Sequence, residues 1–290
     1  MYSRHETAKP LTAPNVSRQR INAAGHVASR HRPNGPSALA ALDQQGSARI
    51  RLPNSFQGPL QAVLINTAGG LTGDDDIRWS ATAGESSRLV ISTAACEKLY
   101  RTHGPAARQQ TRLTVENGAR LDWLPQETIV FNGSSLERSL EVDVAGDATA
   151  LIVESLVLGR HAMQESVERL QLHDCWRIRR DGRLLHAEDL RLQLDDRRHA
   201  RRPSMLHHYS ALSTLVLVSP ESSDSLHMKG ESVRRLLPDT TSTLQAATTV
   251  MKHRLVIRVL ATDSQSLRKF LIPCIEHLSD RMSIPQVWNV

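Results

Sequence analysis

The most conspicuous local chemistry in this chain is the run Gly69-Gly70-Leu71-Thr72-Gly73-Asp74-Asp75-Asp76. A glycine-rich loop can turn its backbone amides toward a phosphate. No Lys-Ser/Thr pair follows, so this is not a P-loop, and three adjacent carboxylates repel a phosphate. The acids could instead hold a hard cation, although side chains at i, i+1 and i+2 of an extended chain do not converge. Two readings therefore stand for Gly69, Gly70 and Gly73. They form a tight turn that needs positive φ and exposes its acids, or they belong to a functional polar loop.

Spacings that would announce a tight metal site are missing: there is no Cx2C, no HEx2H and no 2-His-1-carboxylate pattern. Cys96 beside Glu97 offers two donors to a borderline metal, and reads equally as a small buried thiol. His207 and His208 are adjacent, so in a strand they would face opposite sides. No Gly-x-Ser-x-Gly marks a nucleophile. Acids do recur in strand-rich context, as Asp122, Glu127, Glu154 and Glu165. Glu154 stands out, because it interrupts Leu151-Ile152-Val153 and Ser155-Leu156-Val157-Leu158. A carboxylate in such a run is costly to bury unpaired, so it either faces water or lines something polar.

Strands must position these groups. From Val63 to Val157, short Val/Ile/Leu/Thr runs alternate with Gly, Asn and Asp. Three segments share one pattern of strand, turn and strand: Ile77 to Ser92, Thr111 to Leu124, and Leu140 to Glu154. Their turns fall at Ala83-Gly84-Glu85, Asn117-Gly118 and Gly146-Asp147. Aligning Leu89, Leu121 and Leu151 gives steps of 32 and 30 residues. A near-constant period suggests stacked β layers, each covering the face of the last. Asp181-Gly182 between two extended runs predicts a two-residue hairpin turn. Leu212 to Ser219 and Leu255 to Leu260 read as strands, Ser222 to Leu237 as a helix stopped by Pro238. Leu267, Phe270, Leu271, Ile275 and Leu278 recur at helical spacing within Asp263 to Met282. The expected fold is mainly β, with β-helix-like stacked strands and a few α-helices in the C-terminal part. Residues 1–18 read as a disordered tail ahead of a single domain over 19–290.

The chain's 290 residues and 40% hydrophobic content suit a globule, and with 3% aromatics the core must come from Leu, Val, Ile and Ala. Three widely spaced cysteines suggest a reducing compartment rather than a disulfide framework. No apolar run approaches a membrane span and no apolar stretch follows the basic N-terminus, so the expected location is the cytoplasm, away from membranes. The net charge of +6 is spread along the chain. Its densest run, Arg197-Arg198-His199-Ala200-Arg201-Arg202, reads as a solvated loop or a docking patch for an acidic protein. It lacks the interleaved aromatics of nucleic-acid binders, and none is expected as a partner.

Five segments in order resemble the urease accessory protein D family, called H in some bacteria. They are Leu64-Ile65-Asn66-Thr67-Ala68-Gly69-Gly70-Leu71-Thr72-Gly73-Asp74-Asp75, Thr93-Ala94-Ala95-Cys96-Glu97-Lys98-Leu99-Tyr100-Arg101, Leu121-Asp122-Trp123-Leu124-Pro125-Gln126-Glu127-Thr128, Leu158-Gly159-Arg160-His161-Ala162-Met163-Gln164-Glu165 and Ile284-Pro285-Gln286-Val287-Trp288. Together they cover about residues 45–290. The chain departs in having Asp74 where the family has glycine, and Cys96 where a small residue is usual.

The resemblance implies a non-catalytic scaffold of β-helix type. It would bind the urease apoprotein and the accessory F protein, and through F the GTP-hydrolysing G protein. It also implies an internal route for nickel, with no tightly bound cofactor and only transient nickel. A conduit needs weak, sequential ligands rather than one tight site. Asp75, Glu97, Asp122, Glu127, Glu154 and Glu165 are the candidate conduit or docking residues. Arg101 and Arg160, with the three glycines, are candidates for structure or docking. The competing reading is a β-solenoid hydrolase or lyase acting on an acidic polymer, which would need an acid/base cluster exposed on one solenoid face.

Overall fold

The computed structural model describes residues 20–54, 58–160, 163, 165–196, 202, 205–237, 243–279 and 284–288. The expected tail lies outside them, as do Pro238, Met282 and all of the basic run except Arg202.

Seventeen strands and two α-helices follow one another along these residues. The strands are β1 (Asn22–Arg30), β2 (Ala38–Gln45), β3 (Ala48–Arg51), β4 (Leu60–Asn66), β5 (Asp76–Ala83), β6 (Arg88–Thr93), β7 (Glu97–Leu99), β8 (Ala107–Val115), β9 (Arg120–Leu124), β10 (Thr128–Val130), β11 (Ser134–Val144), β12 (Thr149–Leu158), β13 (Leu170–Arg180), β14 (Arg183–Leu194) and β15 (Ala211–Val218). Helix α1 (Ser223–Arg234) precedes β16 (Leu244–Met251) and β17 (Arg254–Ala261). Helix α2 (Ser264–Leu278) and a 3-10 turn (Gln286–Trp288) close the chain.

The chain winds between two sheets. One has the order β14-β13-β11-β8-β5-β1-β2, the other β16-β17-β15-β12-β9-β6-β4-β3. The three similar segments are successive coils. Strands β5, β8 and β11 stack in parallel in the first sheet, and β6, β9 and β12 do so in the second. The short strands β7 and β10 extend the coils: β10 pairs with the end of β12, and β7 pairs with β10. This is the stacked, solenoid-like arrangement that the repeat predicts.

The third copy differs in register. Leu89 does pair with Leu121, but Leu121 pairs with Ala150, and Leu151 lies opposite Asp122. Leu151 thus points to the other face of the sheet from the one expected, because a one-residue slip swaps the faces of a strand. Every residue of β12 after Thr149 is buried. Ala150, Ile152 and Leu156 enter the core between the sheets, while Leu151, Val153 and Val157 enter a second core under the helices. A strand covered on both faces offers no polar phase from which to read its register.

Helix α2 starts at its N-cap Asp263, whose Oδ1 accepts from the Ser266 amide at 2.7 Å. It buries Leu267, Phe270, Leu271, Cys274, Ile275 and Leu278 against the second sheet. Each such side chain contributes about 1.5–3 kcal/mol of burial. The 3-10 turn then brings Trp288 down so that its indole donates to the Leu124 carbonyl at 3.0 Å. The hairpin turn at Asp181-Gly182 has positive φ at both residues, 49° and 74°, as its type demands. His207 and His208 lie in a turn rather than a strand. Their rings meet edge to face at 4.6 Å instead of diverging.

Candidate functional site

Period-two alternation in β11 sends Leu136, Leu140, Val142 and Val144 into the inter-sheet core. Arg138 is in that same phase. In β13 the inward phase is Leu170, Leu172, Trp176 and Ile178, with Asp174 among them. Glu154 enters from β12 on the opposite sheet. The three charges meet between the sheets. Arg138 Nη1 donates to Glu154 Oε2 at 2.6 Å, and its Nε and Nη2 donate to Asp174 Oδ1 and Oδ2 at 3.0 and 2.5 Å. Trp123 donates to Glu154 Oε1 at 2.8 Å and Trp176 to Asp174 Oδ1 at 3.0 Å. So Glu154 lines something polar rather than facing water. Its carboxyl is pushed up, first by burial and then by the Asp174 charge, against the pull of Arg138.

A cavity of about 150 Å³ runs from this network toward the surface, lined by Asn66, Trp79, Cys96, Glu97, Trp123 and Glu154 among others. It has room for several waters. Gln109 also lines it, and its Oε1 is buried without a partner. Glu97 sits partly buried near the mouth. Asn66 Nδ2 donates to both its oxygens at 3.4 and 3.3 Å, and the Lys98 amide donates to Oε1 at 3.2 Å. Burial, helped by the nearby Asp75 charge, outweighs those donors and pushes the Glu97 carboxyl up to about 7. On the far side of the network a second groove, of about 400 Å³, is lined by Asp174, Trp176, Glu188 and Arg258 among mainly apolar residues.

Beside the first cavity, Glu127 is gripped by Arg268 of α2, Nε to Oε1 at 2.6 Å and Nη2 to Oε2 at 2.7 Å. Burial opposes the charge on Glu127, but this fork holds it below the usual carboxylate range. Cys96 donates to Glu127 Oε2 at 3.3 Å. Burial, with the Glu127 charge, pushes its thiol up to about 11, so it enters neutral.

The other sequence candidates lie elsewhere. Asp75 is buried and fastens the glycine loop, accepting from the Ile21 amide at 2.9 Å and the Thr72 amide at 2.7 Å. The loop amides of Gly69, Leu71, Asp74 and Asp75 all donate to backbone carbonyls, so they do not cradle an anion. Gly69 and Gly70 have φ of 80° and 149°, and a Cβ on Gly70 would stand 2.6 Å from the Lys98 carbonyl. At Gly73 the need is close approach instead, since a Cβ there would stand 2.4 Å from the Pro105 carbonyl. Asp74 takes φ 66°. Asp122 lies on the helix side of its sheet, bound by Arg120, which also donates to the last carbonyl of α2, Leu278, at 2.9 Å. Arg160 binds Glu165 at 2.7 Å and covers the Phe131 ring at 4.3 Å, clamping a loop. Arg101 accepts from the Thr72 hydroxyl through its carbonyl and packs its side chain beside Gly133. The structure thus gathers Glu97, Glu154 and the neighbouring Glu127, leaves Asp75 in the loop but close enough for its charge to act on Glu97, and gives Asp122, Glu165, Arg101 and Arg160 separate surroundings.

Sequence reasoning missed Arg138, Asp174, Asn66, Trp123 and Arg268. The inward phase of Arg138 and Asp174 was readable from their own strands. Among the described residues, no helix is long and apolar enough to cross a membrane.

The family model described as UreD urease accessory protein matches residues 22–289. A urease accessory protein UreD from Chelativorans sp. (strain BNC1) is 41% identical over 285 residues, covering 98% of this chain and 99% of that relative. Its counterpart from Rhizobium leguminosarum bv. viciae is 42% identical over 272 residues, 94% of this chain and 96% of its own length. One from Brucella ovis, named UreD 1, is 38% identical over 279 residues, 95% of this chain and 96% of its own length.

Proposed function

The chain belongs to the UreD urease accessory protein family, and from that premise we propose that it is a non-catalytic scaffold that passes nickel toward urease during assembly. It works in the cytoplasm, binding the urease apoprotein and the accessory F protein, and through F the GTP-hydrolysing G protein. Nickel is its cargo and not a resident cofactor.

One observation carries the reading. Glu97, Glu154 and Asp174 form a file of carboxylates across the interior, from the 150 Å³ cavity to the far groove. The network at its centre joins one guanidinium to two carboxylates, so with both acids ionised it holds one negative charge in excess. An interior negative charge attracts a divalent cation strongly in a low dielectric. Arg138 blocks the file until its guanidinium swings aside, which keeps each stop weak enough to leave. The carboxylates face inward rather than forming an acid/base pair on an exposed solenoid face, as a polymer hydrolase requires.

The test is urease assembly in cells carrying the cognate operon, with this gene deleted, restored, or restored as Glu97→Gln or Glu154→Gln. Deletion should leave urease subunits that are made but lack nickel, and the wild-type gene should restore loading. The two variants should accumulate normally and load urease poorly. Full nickel content in the deletion strain overturns the assembly role. Full loading with both variants overturns the route while leaving the scaffold standing.

A further inference from the structure

Strand β13 shows two chemistries on its two faces. Asp174 points inward to Arg138, while His173 and Cys175 on either side of it point outward. The hairpin sets Asp189 of β14 directly opposite Cys175, and Arg191 opposite His173. One ligand atom from each of His173, Cys175 and Asp189 lies within 4.8 Å of the others. His173 Nε2 is already 3.1 Å from Asp189 Oδ1.

We propose that His173, Cys175 and Asp189 form a surface site for a borderline divalent first-row cation of the nickel, copper and zinc class. Metal bonds of ~2.0–2.3 Å put the donors of a tetrahedral site roughly 3.3–3.7 Å apart. The imidazole–carboxylate pair is close to that spacing, so closure mainly draws in the sulfur, by at most about 1 Å. Thiolate, imidazole and carboxylate together favour this class over magnesium or calcium, which prefer all-oxygen shells. Three protein ligands leave a position open, as in exchangeable rather than structural sites.

The hairpin fixes two ligands at i and i+2 of one strand and the third across from them, so little backbone adjustment is needed. Two features keep the site weak. Arg191 Nε now donates to Asp189 Oδ1 at 3.0 Å, and binding must displace it. Its side chain is 71% exposed, so it can swing into solvent. The thiol must also release its proton to bind. Scans for Cx2C-type spacing overlook the cluster because the third ligand arrives through the hairpin register.

This site does not depend on the interior route, and one experiment separates the two. Cobalt(II) is titrated into the purified full chain, and the sulfur-to-cobalt charge-transfer band is followed in the near ultraviolet. Folding of each variant is checked by circular dichroism. The band should appear in the wild type and in Cys96→Ser, vanish in Cys175→Ser, and require at least about tenfold more cobalt in His173→Gln and Asp189→Asn. Nickel or zinc should compete it away. No band in the wild type at millimolar cobalt overturns the site. So does a band that survives Cys175→Ser or is lost in Cys96→Ser, the latter placing the cation at the interior cavity.

Discussion

Replacing Glu97 with glutamine should make the protein more stable and less useful. Its carboxyl is raised from 4.5 to about 7, by burial and by the Asp75 charge. The rise from 4.5 to about 7 corresponds to about 3 kcal/mol, at ~1.4 kcal/mol for each tenfold change in proton affinity. Water at the cavity mouth screens part of this, so about 1–3 kcal/mol is expected to be measurable. An acid whose folded-state pKa is raised binds its proton more tightly when folded. Its favourable contribution is therefore complete below pH 4.5, declines between 4.5 and about 7, and is absent above. Glutamine mimics the protonated form at every pH and still accepts from the Lys98 amide through its carbonyl. Glu97→Gln should thus match the wild type near pH 4.5 and exceed it by about 1–3 kcal/mol at pH 8. Urea unfolding followed by circular dichroism at the two pH values reads the difference directly. Equal stability at pH 8, or a gain at pH 4.5 as large as that at pH 8, would refute the claim that burial strains this carboxylate.

Two further perturbations probe the interior and the glycine loop. Arg138→Met strands Glu154 and Asp174 without their cation and should cost about 3–5 kcal/mol in urea unfolding. Glu154→Gln leaves Arg138 and Asp174 balanced and should stay within about 1 kcal/mol of the wild type; equal losses in the two would contradict the charge count. In the loop, Asp74→Gly relieves φ 66° and should stabilise by up to about 1–2 kcal/mol. Gly70→Ala should destabilise by more than Gly69→Ala, because only the former adds a clash with the Lys98 carbonyl to its backbone strain. Thermal unfolding ranks all three, and a Gly69→Ala loss equal to that of Gly70→Ala would count against the close approach.

What could be read from the sequence was local. The Asp181-Gly182 turn, the amphipathic face of α2 and the coil repeat each carry their signal within a short window, and each appears in the structure. The register of β12 does not. Ala150 and Leu151 are both apolar, both faces of the strand are covered, and only pairing with β9 decides which faces which core. The site was legible as an anomaly, a carboxylate inside an apolar run, and not as a constellation. Trp123, Arg138 and Asp174 reach the network from three other strands, and Arg268 reaches Glu127 across 141 residues. Such partners share no sequence spacing, because the stacking of coils brings them together.

The same stacking explains why a fold of this kind can hold charge where a core would normally exclude it. Around the network the inward positions of β11 and β13 are apolar, and leucines at 138, 154 and 174 would satisfy the packing pattern at least as well, since buried ion pairs rarely outdo hydrophobic packing. The rigid sheets on either side fix Arg138 and its two acceptors at hydrogen-bond distance, so neither carboxylate is left unpaired. Each of the four carboxylate oxygens accepts from Arg138 or an indole, which offsets part of the cost of the buried charge while burial still pushes the Glu154 carboxyl up. On the route proposed above, a cation entering past Glu97 would meet that charge first and the guanidinium second. To move on it would have to exchange places with Arg138, so under that proposal the pairing that ties the two sheets together also sets how briefly a passing cation is held.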